Sequence, residues 1–165
     1  MTPPDRPDRA HGDAHEELER IYSRLDADLA ALGAGCRACG RCCTFPPDGP
    51  VLYASALERE HLASTAPPGP RTGGAADTPR EPGACPYLAL ARDGGRCAAR
   101  SVRPVGCRTY FCKNALPDRA MRERAMVLAE VAVADIRRVV EDCGLEWDYA
   151  PVVERLCDSR RRRTG

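Results

Sequence analysis

The stretch Cys36-Arg-Ala-Cys39-Gly-Arg-Cys42-Cys43 places four thiols within eight residues. Four more cysteines follow downstream, at Cys85, Cys97, Cys107 and Cys112. The four clustered thiols can hardly all pair with one another as disulfides, because two Cβ atoms must meet at about 3.8 Å with a defined torsion. Two-residue spacers, by contrast, readily turn sulfurs toward one centre. The pattern therefore indicates a metal or iron–sulfur site.

Size and composition fit one small domain whose cysteine-rich part depends on metal. The chain has 165 residues, 43% of them hydrophobic, which is enough for a modest core. Metal ligation contributes on the order of 10 kcal/mol to a small cysteine site, more than a loop-rich stretch gains from packing. We predict a disordered N-terminal tail over 1–13, a single domain over 14–157 and a basic tail over 158–165. Within the domain, the cysteine-cluster core spans 35–113 and a C-terminal helix spans 118–142.

Charge and hydropathy argue against two classes of partner. The chain has 25 basic and 24 acidic side chains and a formal charge of +1, which predicts no binding to nucleic acid. No segment approaches about 18 consecutive apolar residues, so we expect neither a membrane span nor a signal peptide. These features predict a cytoplasmic protein. In a reducing compartment closely spaced cysteines are metal ligands more often than disulfides, and an oxidised framework in a secreted protein is the alternative.

Apolar periodicity predicts helices on both sides of the cysteine region. One helix is expected over 15–32, before the stop signals Gly33 and Gly35, and a shorter one over 54–64 with Leu57 and Leu62 facing inward. The longest is expected over 118–141, with Asp118 as N-cap and Gly144 as C-cap. Its predicted apolar face consists of Ala125, Leu128, Val131, Ala132, Ile136, Val139 and Val140.

The segments between these helices predict short, irregular structure around the cysteines. We predict a short extended segment over 51–53. The range 65–84 is rich in proline and glycine and is predicted to be a surface loop. Asp93-Gly94-Gly95 marks the turn of a small hairpin between Cys85 and Cys97. Arg103-Pro104 predicts an extended residue followed by a short helix or turn. The expected fold is mostly α, with a small irregular, hairpin-containing, cysteine-rich metal-binding centre.

The cysteine spacing leaves the kind of metal and the grouping of the ligands open. Soft thiolates select zinc, copper(I) or iron–sulfur clusters. Cys36-x2-Cys39-x2-Cys42 copies the first three ligands of a bacterial ferredoxin run, whereas Cys36-x2-Cys39-Gly40 also fits a zinc knuckle. Adjacent side chains point in different directions, so Cys42 and Cys43 serve two centres or one of them is a spare thiol. Two four-cysteine sites, one four-cysteine cluster with reactive spares and a polynuclear site with bridging sulfurs all satisfy the pattern.

Arginines are frequent beside these cysteines. Metal-bound cysteines are deprotonated, and guanidinium groups offset the negative charge of such a centre. Codon bias is the alternative explanation. The arginines concerned are Arg37, Arg41, Arg96, Arg100, Arg103 and Arg108. The two remaining cysteines, Cys143 and Cys157, stand alone on or near a helix, and we predict that neither is a ligand.

The motifs resemble those of the YkgJ-type cysteine cluster family, a zinc- or iron-chelating domain with a CxxCxxCC signature. The resemblance covers about 35–113 and includes Cys85-Pro-Tyr-Leu, Gly95-Arg-Cys97 and Arg103-Pro104-x2-Cys107-Arg108-Thr-Tyr-Phe-Cys112. It implies that the metal ligands are Cys36, Cys39, Cys42, Cys43, Cys85, Cys97, Cys107 and Cys112. It implies no settled activity. The related flagellin lysine-N-methylase group, which is associated with an iron–sulfur cluster and a methyl donor, raises methyl transfer as a hypothesis.

Three functions remain open from the sequence, and it does not say whether the chain is an enzyme. The first is a metal-binding protein for electron transfer, redox sensing or metal handling, with an iron–sulfur cluster slightly preferred to zinc. The second is a cluster-dependent enzyme such as a protein methyltransferase, using a thiolate of Cys42 or Cys43, with Arg108 lowering its pKa and Tyr110 as donor. The chain shows no glycine-rich turn that would hold the methyl donor. The third is a zinc-stapled module that presents the long helix to a protein partner.

Other polar side chains are expected at the surface. His11, His15 and His61 are predicted to be solvated rather than ligands or general bases. Glu58 and Glu60 are predicted to lie on a solvated helix face. Tyr110 and Phe111 are expected to pack in the apolar shell of the site.

Overall fold

The computed structural model describes residues 6–36, 43–45, 49–66, 84–91, 94–111 and 115–152. These residues are mostly helical, which confirms the predicted class. The helices are α1 (Arg6–Ala31), α2 (Ala56–Thr65), α3 (Val105–Thr109) and α4 (Arg119–Asp142), with a 3-10 turn at Arg100–Val102. The strands are β1 (Tyr53–Ser55), β2 (Leu88–Ala91), β3 (Gly94–Cys97) and β4 (Tyr149–Pro151). Among the described helices, none combines the length and the apolar character that crossing a bilayer requires.

The larger core lies between α1 and α4. Both helices place apolar side chains three and four residues apart, so each has one apolar face to bury. The α1 face includes Leu18, Ile21, Tyr22, Leu25 and Leu29, and the α4 face includes Ala125, Ala132, Ile136 and Val140. Leu18 and Ile136 are fully buried. The two long helices therefore form the support on which the shorter elements rest.

The N-terminal boundary of α1 differs from the prediction. The predicted tail over 1–13 is wrong for residues 6–13, which are helical, whereas residues 1–5 lie outside the described part. Pro7 stands in the first turn, where its missing N–H removes no helical hydrogen bond. Ala14 is fully buried and continues the apolar face beyond the predicted start. The charged composition of this end gave no signal for a helix, although the helix packs against the core from Ala14 onward.

The bounds of α4 agree with the predicted helix. Asp118 is the N-cap and accepts a hydrogen bond from the Met121 amide at 2.9 Å. Gly144 follows the helix with φ +67°, the left-handed conformation that favours glycine at this position. Val131, however, is 52% exposed and does not belong to the buried face. Val131 and Ala132 lie about 100° apart around the helix, and it is the smaller Ala132 that faces α1.

A second, smaller core lies under the cysteine region and is bordered by two small sheets. β1 pairs antiparallel with β4, and β2 pairs antiparallel with β3, so the predicted hairpin is confirmed. This core includes Leu52, Leu62, Leu88, Ala99, Val102 and Val152, with Cys85 buried among them. The predicted surface loop lies almost entirely outside the described residues, as does the basic tail.

The short strand and helix after residue 50 begin later than predicted. The extended piece is Tyr53–Ser55, and α2 begins at Ala56. Ser55 ends the strand because it caps the helix: its Oγ accepts from the Glu58 amide, and the Glu58 carboxylate accepts from the Ser55 amide. Leu57 and Leu62 are buried, as the periodicity indicated.

Candidate metal centre

Five of the eight motif cysteines belong to the described residues. They are Cys36, which follows α1, Cys43, Cys85, Cys97 at the end of β3, and Cys107 in α3. Cys39, Cys42 and Cys112 lie outside the described residues, so their predicted role remains a prediction. The CxxCxxCC stretch is thus described only at its two ends.

The three segments of the chain that carry Cys43, Cys85 and Cys97 are bonded to one another. The Cys85 amide donates to the Cys43 carbonyl at 2.8 Å, and the Leu88 amide donates to the Cys85 carbonyl at 3.0 Å. Leu88 is the cross-strand partner of Cys97. The Cys43 thiol in turn hydrogen-bonds to the Cys97 sulfur. Cys85 and Cys97 therefore both lie near another motif cysteine, a condition that a shared site requires.

The Cys97 sulfur lies in surroundings that favour its ionised form. The hydrogen bond from the Cys43 thiol lowers the pKa of Cys97 to about 6, assisted by the Ala99 amide and by the charges of Arg103 and Arg100, and opposed by burial. Its ordinary value is 9.0. These contacts favour the thiolate, the form in which cysteine binds metals and reacts as a nucleophile.

Two arginines join the remaining described cysteines to the turn that follows Cys97. Arg100 lies with Nη1 3.7 Å from the Cys36 sulfur, and its Nη2 donates to the Cys36 carbonyl at 3.2 Å. Arg103 donates from Nη1 to the Cys107 carbonyl at 3.2 Å and from Nε to the Arg100 carbonyl at 3.1 Å. Cys36 and Cys107 are thus both bonded to the 100–103 turn by arginine side chains, which suits a centre made of thiolates.

Glu58 connects the start of the Cys107 helix to α2. One carboxylate oxygen accepts from the Val105 amide at 2.8 Å and from the Tyr22 hydroxyl at 3.3 Å, and the other accepts from the Ser55 amide at 2.7 Å. Glu58 is 1% exposed, so the predicted solvated position is wrong. Burial raises its pKa. The signal that could have revealed this is the S-x-x-E capping pattern of Ser55 and Glu58.

Arg108 fixes the same helix from its other side. It is 3% exposed, pairs with Asp26 of α1, and donates to the Ser101 carbonyl at 2.5 Å and the Arg103 carbonyl at 2.6 Å. Its guanidinium carbon lies 4.0 Å from the centroid of the Tyr22 ring. The arginines that lower the pKa of Cys97 are Arg103 and Arg100. These contacts do not support the predicted activation of a thiol by Arg108 and assign it a structural role instead.

The other residues discussed from the sequence are two aromatic residues and the two cysteines outside the motif. Tyr110 packs against the smaller core and Phe111 against the larger one, as expected of an apolar shell. Cys143 caps α4 and packs against the larger core, where burial raises the pKa of its thiol. Cys157 lies outside the described residues.

The three histidines lie at the contact of α1 and α2, and one of them, His61, is buried there. His61 is 3% exposed, and its Nδ1 lies 3.2 Å from the Nδ1 of His15. Burial, together with His15, lowers the pKa of His61. His11 is exposed, with its Nδ1 3.7 Å from a carboxylate oxygen of Glu60. The prediction of a solvated surface is therefore wrong for His61, because α2 turns it toward α1.

Comparisons of this chain with protein-family models, with curated proteins and with solved structures find no match. The interpretation of the cysteine region rests on its residues and their geometry.

Proposed function

We propose that this chain is a small metal-binding protein that holds an iron–sulfur cluster or zinc through its eight motif cysteines and acts in electron transfer or metal handling. The observation that supports the proposal is that the segments carrying Cys43, Cys85 and Cys97 are bonded to one another, with the Cys43 thiol hydrogen-bonded to the Cys97 sulfur. These contacts join the three segments through their backbones, whereas the sulfurs of Cys43, Cys85 and Cys97 do not all lie within 4.8 Å of one another. A reducing cytoplasm would keep these thiols available.

The donor set fits the proposed centre. Cys36 and Cys107 are bonded through their carbonyls to Arg100 and Arg103, whose positive charges also favour the thiolate of Cys97. Soft thiolates favour iron–sulfur clusters and zinc over hard cations. The full set of proposed ligands is Cys36, Cys39, Cys42, Cys43, Cys85, Cys97, Cys107 and Cys112, of which Cys39, Cys42 and Cys112 lie outside the described residues. A bound cluster would supply one-electron chemistry, whereas zinc would supply structure or exchange.

An iron–sulfur cluster is placed ahead of zinc for two reasons. The spacing of Cys36, Cys39 and Cys42 copies a ferredoxin triplet. In addition, the resemblance to the YkgJ-type family includes relatives that are associated with iron.

A pair of cysteine substitutions tests this proposal. Cys97→Ser removes a proposed ligand, whereas Cys143→Ser removes a thiol of the helical core, so the two changes are chemically matched. We expect anaerobically purified Cys97→Ser to lose most of its iron or zinc and Cys143→Ser to keep the wild-type metal-to-protein ratio. Equal metal content in Cys97→Ser and the wild type would remove Cys97 from the centre and contradict the proposal.

A second candidate function is an interaction module, favoured by the outer face of α4. Met126, Val127 and Val131 are 62%, 57% and 52% exposed, an apolar surface of the kind that protein partners cover. For a second copy as partner, Val127→Asp should abolish self-association in sedimentation while leaving the metal content unchanged. A monomeric wild type at high concentration would exclude that partner.

The enzyme alternative has weaker support. Its proposed use of Arg108 to activate a thiol does not agree with the contacts of Arg108 with Asp26, Ser101 and Arg103. Methyl transfer therefore remains a hypothesis carried by the resemblance alone.

A further inference from the structure

All three histidines of the chain meet two glutamates at the contact of α1 and α2. His11 and His15 are four residues apart on α1 and so share one helix face. Glu60 and His61 face them from α2. None of these residues takes part in the cysteine region described above.

We propose that His11, His15 and Glu60 form a second metal site, which takes one divalent transition-metal ion of the zinc or nickel type. One ligand atom from each of the three lies within 4.8 Å of the other two. Two imidazoles and one carboxylate suit such ions better than calcium or magnesium, which prefer sites made of oxygen ligands. Three protein ligands leave a further position for water or a substrate group.

The separations are close to those of a bound ion. Two ligands that each lie 2.0–2.1 Å from a tetrahedral zinc ion are about 3.3 Å apart. The His11 Nδ1 and a Glu60 oxygen are already 3.7 Å apart. The side chains of His11 and Glu60 are 46% and 56% exposed, so rotation about their side-chain bonds can close the remaining gaps without moving the backbone.

His15 has the supporting contact that metal-binding histidines usually have. Its Nδ1 lies 3.2 Å from the Nδ1 of His61, so one of these nitrogens donates and the other accepts. If His15 binds the ion through Nε2, its Nδ1 carries the proton and donates to His61. The proton of His61 then lies on Nε2, which is 3.8 Å from a Glu19 oxygen. Such outer partners orient a ligand imidazole and strengthen its bond to the metal.

An ion bound at this site would link α1 to α2 and hold the two helices together. A bound ion would join the N-terminal part of α1 to α2, and α2 is bonded through Glu58 to the start of the Cys107 helix. Metal at the histidine site therefore adds stability to the support of the cysteine region without using any cysteine.

Histidine proton NMR of the full chain, purified anaerobically with its cysteine centre intact, tests this site with zinc ions as the probe. Only three histidines contribute signals, and zinc that binds thiolates elsewhere leaves them unmoved. We expect the ring signals of His11 and His15 to shift together and to saturate with one zinc ion per histidine site.

Two exposed substitutions and one control make the test specific. We expect His11→Asn and Glu60→Gln each to weaken zinc binding, followed at the remaining histidine signals, by about tenfold or more. Glu16→Gln, an exposed change on the same helix, should leave the affinity within about twofold of the wild type. Signals of His11 and His15 that stay in place up to about 1 mM zinc, or a Glu60→Gln variant that binds as tightly as the wild type, would overturn the proposal.

Discussion

At the scale of single residues, Glu58 determines how the Cys107 helix is attached. Both of its carboxylate oxygens accept a backbone amide, one from Val105 and the other from Ser55. No other acidic side chain in the described part of the chain is classed as buried. A carboxylate suits this position because it offers acceptors on both sides and no donor.

Replacing Glu58 by glutamine should therefore destabilise the protein although size and shape are kept. One side of the new amide is a donor and must face the amide of either Ser55 or Val105, leaving a buried donor unpaired. We expect Glu58→Gln to lower the free energy of unfolding by about 1–3 kcal/mol in urea denaturation. Glu60→Gln, two residues away and exposed, should change it by less than about 0.5 kcal/mol at pH 8 without added metal. Equal stability of the two variants would show that the bonds of Glu58 are dispensable.

The buried His61 should make stability depend on pH. Burial and His15 lower its pKa in the folded protein below the ordinary 6.5, so the unfolded chain binds the proton more readily. Stability due to this group is complete above pH 6.5 and is lost as the pH falls below it. We expect His61→Gln to lose less stability than the wild type between pH 7.5 and 5.5, as measured by urea denaturation at several pH values. Identical losses would indicate that His61 titrates alike in both states.

At the scale of elements, α3 is fixed by its close approach to β1. A Cβ at Gly106 would lie 2.8 Å from the Tyr53 carbonyl oxygen, closer than real Cβ contacts allow. Glycine at this position lets the five-residue helix lie against the strand. The position of Cys107, the next residue, therefore depends on the lack of a side chain at Gly106.

Alanine substitutions at two glycines test this packing. Gly106→Ala should push α3 from β1, lower the free energy of unfolding by about 1–3 kcal/mol and reduce the metal-to-protein ratio by displacing Cys107. Gly12→Ala, inside α1 where nothing lies within 4 Å of the new Cβ, should instead stabilise by about 0.5–1 kcal/mol. Urea denaturation and metal analysis of both variants provide the comparison. Gly106→Ala with wild-type stability and metal content would contradict this account of α3.

The sequence predicted the elements whose signals are local. The α4 bounds, the hairpin at Cys97 and the inward position of Leu57 follow from periodicity and turn residues, and all agree with the structure. The start of α1 at Arg6 did not follow, because residues 6–13 are rich in proline and charge and have no apolar periodicity. Val131 was misplaced because periodicity cannot decide which of two adjacent apolar residues faces the partner helix.

At the scale of the whole molecule, two layers have separate roles. The α1–α4 pair contains the larger core, while the smaller core carries Cys43, Cys85 and Cys97 beside two short sheets. Two polar side chains hold α3 between the helices: Glu58 bonds it to α2 and Arg108 bonds it to α1. The sequence indicated the cysteines of the proposed centre but not these two connections, because the pairing of Arg108 with Asp26 exists only once distant helices meet.

The proposed role of the whole molecule depends on whether its cysteines hold a metal. Anaerobic purification of the full chain, followed by an absorption spectrum and analysis for iron, zinc and acid-labile sulfide, decides this. The account predicts tightly retained metal: iron with matching sulfide and a broad visible band for the preferred cluster, or colourless protein with one or two zinc ions, which would exclude electron transfer. Protein that is folded and retains neither iron nor zinc would contradict the account.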